Sequence, residues 1–397
     1  MAEQRMERSN VTRLSELRRK RRLRRARRLL LCLVAALAVL GYFAGVYSQG
    51  AMLAQELFDS ARIALTPGAG FPVKTGVPEL LQAETLAGGF ALLGAEDLEL
   101  YSASGSQLRT VQHGYARPAI SCGNTRFCLY NRSGTELRVE SRTRTLYRQT
   151  FDQPILLAQM STGGSVAVVT QSDRYAAELA VYDSAMKFRY SWKPTDAEGV
   201  PGRIAFARDN KRLAVACLTA QGGSVKTNLF FLDTRSDALT ASVSVSGSLP
   251  LQLHWLTADK LLAVYDHMAA VYDAATGQQT AVYSYQGESL LDASVSGQNS
   301  ALLFAPGMSD APARLVVLDP DLQFLADVSV PAPALGVVCT RTAAYVLRQA
   351  GVAAYSLAGE ALWEMPLEAK PQAVLNAKQL LVLSGGQAQL LAQPSEE

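Results

Sequence analysis

From about residue 79 onward the chain repeats itself. Short runs rich in Val, Leu, Ala, Tyr and Phe end in an aromatic or apolar residue followed by a turn-forming polar one: LELYS to Ser102, LRVE to Glu140, AVYD to Asp183, FFLD to Asp233, AVYD to Asp273, VVLD to Asp319 and AAYS to Ser356. The intervals between these endpoints are 38, 43, 50, 40, 46 and 37 residues. Runs of five to eight such residues bounded by Gly, Ser, Asp and Pro read as short β-strands, and a repeat of about 40–50 residues is the length of a four-stranded propeller blade. Prolines at 118, 154, 250, 333 and 371 mark entry into a first strand, where no ladder donor is needed.

In one unit the four strands are ILLAQMS, SVAVVTQS, AELAVYDS and KFRYSWK, and the Asp after the third is expected to cap the turn into the fourth through its own backbone. Full units begin near residues 79, 119, 155, 203, 251, 290 and 334, and the segment 372–393 supplies three further strands. The strand-like FPVKT at 71–75 is the one unused piece, and pairing it with the C-terminal strands would close the ring and remove its open edges. The expected fold is therefore an all-β propeller of eight four-stranded blades, with seven as the alternative, preceded by one transmembrane helix.

The N-terminal part has a different period and charge. Residues 1–28 hold 12 Lys or Arg against 3 Glu, which leaves 26 basic and 32 acidic side chains in the rest of the chain. A body of net negative charge argues against nucleic acid as a partner. No charged residue lies between Leu29 and Gln55. Residues 29–48 are long and apolar enough to span a bilayer, and the arginines before them place the N-terminus on the cytoplasmic side. The apolar core is too long for a cleaved signal peptide, and Cys32 lacks the small residues that precede an acylated cysteine. The expected order is a basic cytoplasmic tail at 1–28, the span at 29–48 in contact with lipid, a helical stalk and hinge at 49–70, the propeller at 71–393 and a short tail at 394–397. The propeller would then be extracytoplasmic at the plasma membrane. The arginines would also sit against anionic head groups, or serve as a docking tail.

The segments HGYARP (113–118), RFCLYNRSGTELRV (126–139) and SVAVVTQSDRYAAELAVYDSAMKFRYSW (165–192) resemble a family of membrane-anchored bacterial propeller proteins, mostly from Gram-positive anaerobes, of unknown function. The resemblance implies anchor, stalk and propeller, and adds nothing on mechanism. YDAATGQQTAVY (272–283) is also similar to a quinoprotein repeat, but it lacks the tryptophan of that repeat, and no cofactor is expected.

Catalytic motifs are missing: there is no nucleophile elbow, phosphate loop, dinucleotide fingerprint or zinc-protease helix. His113, His254 and His267 fall in different units without metal-ligand spacing, and His254, within LQLHWLT, reads as a core residue. Cys217 and Cys339 read as small buried hydrophobes. Cys122 and Cys128, on adjoining strands of one hairpin, are a candidate disulfide if register brings them within reach. Long loops gather on one face, at 170–178, 193–202, 218–228, 265–268 and 305–314. They nominate Arg174 and Tyr175, and less strongly Lys226, His267 and Asp310, as binding residues, against the plainer reading that Asp173 and Arg174 pair locally in a solvated turn. The expected function is non-enzymatic: a tethered scaffold or receptor for an envelope protein or glycan. The alternative is an enzyme acting on a cell-wall glycan or peptide, which would need paired carboxylates or a metal set in the channel.

Overall fold

A computed structural model describes residues 46–66, 68, 70–308 and 311–392. The chain divides into two compact units, residues 1–62 and 63–397. Helix α1 spans Val46–Leu65 and stops ahead of a Pro-Gly pair in the sequence. Most of the expected transmembrane segment, residues 29–45, lies outside the described residues. Among the described residues no helix is long and apolar enough to cross a membrane.

Among the described residues from 73 to 390 the chain is strand and turn, without a helix. Strand β1 is Val73–Lys74. Blade 1 comprises β2 (Gln82–Leu86), β3 (Gly89–Leu93), β4 (Asp97–Ser102) and β5 (Gln107–Gln112). Blade 2 has β6 (Pro118–Cys122), β7 (Arg126–Asn131), β8 (Glu136–Ser141) and β9 (Thr145–Thr150), and blade 3 has β10 (Ile155–Met160), β11 (Val166–Thr170), β12 (Glu178–Tyr182) and β13 (Phe188–Trp192). Blade 4 holds β14 (Val200–Phe206), β15 (Arg212–Gln221), β16 (Ser224–Asp233) and β17 (Leu239–Ser246). Blade 5 runs through β18 (Pro250–Trp255), β19 (Lys260–Tyr265), β20 (Met268–Asp273) and β21 (Gln279–Ser284). Blade 6 is β22 (Leu290–Ser296), β23 (Asn299–Phe304), β24 (Ala313–Leu318) and β25 (Phe324–Val330). Blade 7 is β26 (Ala334–Cys339), β27 (Ala343–Arg348), β28 (Gly351–Ser356) and β29 (Ala361–Pro366). Blade 8 combines β30 (Pro371–Ala377), β31 (Gln379–Ser384) and β32 (Gln387–Leu390) with β1, in the order β1-β32-β31-β30.

There are thus eight blades, and the ring closes as the sequence suggested. Val73 pairs with Ala388 and Lys74 with Gln387, and the Thr75 amide donates to the Gly386 carbonyl at 2.8 Å. The second strand of each blade shows why the repeat reads as it does. Alternate side chains point to opposite faces. Phe90 and Leu92 on β3 enter the apolar cluster shared with blade 8, while Ala91 and Leu93 enter the one shared with blade 2. Likewise Val166 and Val168 on β11 face blade 2, and Ala167 and Val169 face blade 4. A strand buried on both faces must be apolar at every position. The outer strands have no such duty, and Leu239–Ser246 alternates exposed with half-buried residues.

The turn after the third strand is capped as expected. Asp183 Oδ1 accepts from the Ala185 and Lys187 amides, Asp273 Oδ1 from Ala275 and Thr276, and Asp319 Oδ1 from Asp321 and Gln323. Blade 2 departs from the pattern by one residue. Ser141, and not Glu140, takes the capping role, its Oγ accepting from the Thr143 and Arg144 amides. Glu140 instead turns into the interface between blades 1 and 2, fully buried, where it accepts from Arg109 at 2.9 Å and from the Thr145 hydroxyl at 3.0 Å.

Removing one partner of a buried pair strands the other charge. Arg109→Ala should destabilise the propeller by about 3 kcal/mol in denaturant unfolding, and the double change Arg109→Leu with Glu140→Leu should recover most of that loss. Equal losses in the single and double variants would show that packing, not the stranded carboxylate, sets the cost.

Candidate functional site

A propeller has a channel lined by first strands and two ends formed by loops. The first strands lie at the inner edge of their sheets, so their outward-facing backbone groups lack a ladder partner. Side chains of the neighbouring blade supply one. The Gln82 amide bonds both the N–H and the C=O of Ile120, Ser121 Oγ accepts from the Met160 amide, and Arg203 donates to the Leu251 carbonyl at 2.6 Å. Farther round, Gln252 donates to Ala293 C=O, Asp292 accepts from the Val337 amide at 2.8 Å, and Ser294 accepts from the Cys339 amide. These polar residues are staples between blades.

Of the channel's titratable groups Asp292 takes that role, while Glu84 and His254 bond residues of their own strands. Burial pushes the Asp292 carboxyl up, against the Val337 and Ala293 amides that hold it down. Burial likewise raises Glu84, partly offset by the Gln82 amide. His254 donates through Nε2 to Gln252 Oε1 at 2.8 Å, because that amide's nitrogen is already committed to Ala293, and burial lowers the imidazole to about 4. No group of three or more His, Cys, Asp or Glu able to hold a metal occurs among the described residues.

The Cys122–Cys128 disulfide does not form, and register explains why. Ser121 lies opposite Cys128 and Cys122 opposite Phe127, so the two thiols are one position out of step. Cys122 faces blade 1 and Cys128 faces blade 3; both are free, as are Cys217 and Cys339. Burial raises the Cys128 thiol to about 12 and the Cys339 thiol to about 11, as expected of inert core residues.

A more open feature runs along the flank of blade 3, from the 170–178 loop to the start of β13. Between blades 2 and 3 a groove of about 440 Å³ is built from Phe151, Arg174, Tyr175, Tyr182, Phe188 and Lys193, among others. Tyr182 forms its floor, meeting Phe151 and Phe188 edge to face at 6.1 and 5.9 Å between centroids. Phe188 is 54% and Tyr175 42% exposed, large values for aromatic side chains. Lys193 lies 5.9 Å from the Tyr175 ring and 3.4 Å from Glu178 Oε1. Asp173 does not pair with Arg174 but accepts from Gln153 at 3.1 Å. The Arg174 guanidinium has no hydrogen-bond or ion-pair partner among the described residues, while Ser172 Oγ holds the backbone amides of Arg174 and Tyr175.

The other nominated residues do not join this groove. The stretch 218–228 is not a loop: it continues β15 and β16 as a long hairpin turning at Gly222-Gly223, and Lys226 sits in it opposite Thr219 and Ser246. His267 bonds its neighbour Asp266 at 3.0 Å and approaches Ser248 at 3.4 Å. Asp266 is held low, the Leu249 amide and His267 outweighing its burial. Asp310 lies outside the described residues. Sequence reasoning missed Phe151, Tyr182 and Phe188, since aromatics in or beside strands read as core in a chain whose inner strands are apolar throughout.

The sequence matches a family of unknown function, DUF5711, over residues 79–321. No curated protein matches it. Among solved structures it is similar to BamB from Moraxella catarrhalis, with TM-score 0.55 and 12% identity over 81% of this chain and 98% of that one. It is similar to Sqt1 from Saccharomyces cerevisiae, with TM-score 0.61 and 8% identity over 83% of this chain and 100% of that one. The C-terminal WD40 domain of Sif2 has TM-score 0.58 and 12% identity over 82% of this chain and 99% of that one. At these identities the likeness is one of fold.

The histidine supplies a test of the channel. Its folded-state value lies below its ordinary 6.5, so the unfolded chain binds the proton first as pH falls, and the native state is full strength above about 6.5 and weakens toward 4. Between pH 7 and 4.5, His254→Gln should lose about 2 kcal/mol less stability than the parent chain in denaturant titrations. Parallel losses would mean that His254 is solvated in the native protein.

Proposed function

The chain belongs to the DUF5711 family, whose function is unknown, and we propose that it is a non-enzymatic interaction scaffold that receives an envelope protein in the groove at Arg174 and Tyr175. The observation carrying this reading is the groove's composition. Exposed aromatics around an unpaired guanidinium are the residue types that dominate binding energy at protein interfaces. A guanidinium with open donors beside an aromatic floor offers a partner both a carboxylate fork and apolar area. Gln82, Ser121, Arg203, Gln252, Asp292 and Ser294 of the channel are engaged in holding blades together, which favours binding outside the channel over chemistry within it.

The propeller stands outside the plasma membrane in this reading, tethered through residues 29–48 with the basic residues 1–28 inside. That arrangement rests on the uncharged run and its arginine flank. Deleting residues 29–48 should release the chain from the membrane fraction, and protease added to intact protoplasts should cut the propeller side only. Protection of the propeller would reverse the orientation.

For the groove, a photo-crosslinking residue at position 188 in the full-length chain should trap a discrete protein in intact cells. Arg174→Ala with Tyr175→Ala should abolish that adduct without changing the unfolding midpoint. The same adduct trapped from position 239, on the outer strand of blade 4, or its survival in the double variant, would remove the groove from the interface.

A further inference from the structure

The end of the ring where first strands turn into second strands carries a feature that the scaffold reading does not use. A concavity of about 670 Å³ opens there, lined by Arg208 of blade 4, Ser296 and Gly297 of blade 6, Arg341 of blade 7 and Asn376 and Lys378 of blade 8. Its walls hold three cations and no carboxylate. Arg208 also lines the channel cavity of about 580 Å³ beneath, so the concavity is the channel's mouth.

The three cations are nearly unengaged. Arg208 reaches past blade 5 and donates once, to the Gly297 carbonyl at 3.4 Å. Neither the Arg341 guanidinium nor the Lys378 ammonium has a hydrogen-bond or ion-pair partner among the described residues. Nearby basic residues on the same end are handled differently: Arg212 is paired with Asp259 and Lys260 with Asp321. Asp209, beside Arg208 in sequence, spends its Oδ1 on the Lys211 amide. Lys378 stands at φ +66, at the apex of the turn from β30 to β31. Asn or Gly would hold that left-handed backbone at less cost.

Convergent like charges in a concavity repel one another and focus the field into it. In a propeller whose remaining chain is net acidic, this mouth is an electropositive exception. Two guanidinium forks and one ammonium on three blades match an anion that carries several charges over tetrahedral oxygens, since guanidinium is suited to bidentate phosphate contact and lysine to a point contact. We propose that the mouth formed by Arg208, Arg341 and Lys378 is a binding site for phosphoryl anions, a polyphosphate or a phosphate ester. It shares no lining residue with the Arg174 groove, so the two readings stand or fall separately.

The test is calorimetric titration of the full-length chain in neutral detergent with sodium tripolyphosphate. Binding whose affinity falls as NaCl is raised is expected, and the mouth's share of it, apart from that of the basic residues 1–28, is the part that substitution within the mouth removes. Arg341→Gln with Lys378→Asn, the second chosen because asparagine tolerates the turn, should weaken binding by at least about tenfold, a loss of about 1.4 kcal/mol. The unfolding midpoint of this variant without ligand should be unchanged or raised, because repulsion is relieved. Arg174→Gln, in the groove, should bind like the parent chain. No binding, binding indifferent to the double change, or equal weakening by Arg174→Gln would overturn the site. Citrate binding as tightly as tripolyphosphate would overturn its assignment to phosphate.

Discussion

Each blade of this protein is a single sheet with two apolar faces, and neither can be left in water. Phe90 and Leu92 need blade 8 as much as Ala91 and Leu93 need blade 2. That requirement passes from blade to blade and is met everywhere only when the last blade covers the first. Strand β1 completes blade 8, and the cluster of Val77, Phe90, Leu92 and Tyr101 with Leu375, Leu381, Leu383 and Ala388 closes the ring. An open array of such repeats would need polar caps on its end units. Closure makes caps unnecessary here, and makes every blade depend on contacts between residues about 300 apart in sequence.

The same requirement decides where function can reside. Blade faces are consumed by packing. The inner edges are consumed by side chains that satisfy the neighbouring strand, so Gln82, Arg203, Gln252 and Asp292 are polar for structural reasons. Binding is left to the surfaces where the backbone turns and some side chains, such as Arg174, Arg341 and Lys378, have no partner among the described residues. An aromatic groove with an unpaired arginine runs along the flank of blade 3, and the first-to-second-strand turns carry a cationic mouth.

Much of this was legible in the sequence, because double burial writes itself as continuous apolar strands at a regular spacing. The turn-capping aspartates were legible too, since an Asx turn uses only local geometry. What failed were features that depend on one residue of register or on another blade. Glu140 read as the polar residue that ends its strand at the turn, but Ser141 fills that place, and the shift sends the glutamate into an interface with Arg109, a partner 31 positions away. Cys122 and Cys128 have suitable spacing, yet their parity puts them on opposite faces. Lys226 seemed to lie on a loop because its run includes Gly-Gly, which turns a hairpin longer than its counterparts. Arg174 and Tyr175 were found because long loops are visible, whereas Arg208, Arg341 and Lys378 sit on short turns in separate repeats and converge only when the ring is closed.

Closure is most directly tested by native-state hydrogen exchange after Val73→Asp, which places a charge in the closing cluster. If every blade relies on the ring, protection of the β15 and β16 amides in blade 4, far from the change, should fall by the same free energy as protection of β31 in blade 8. Loss confined to blades 8 and 1, with blade 4 unaffected, would contradict the account and show a chain of blades stabilised by nearest neighbours alone.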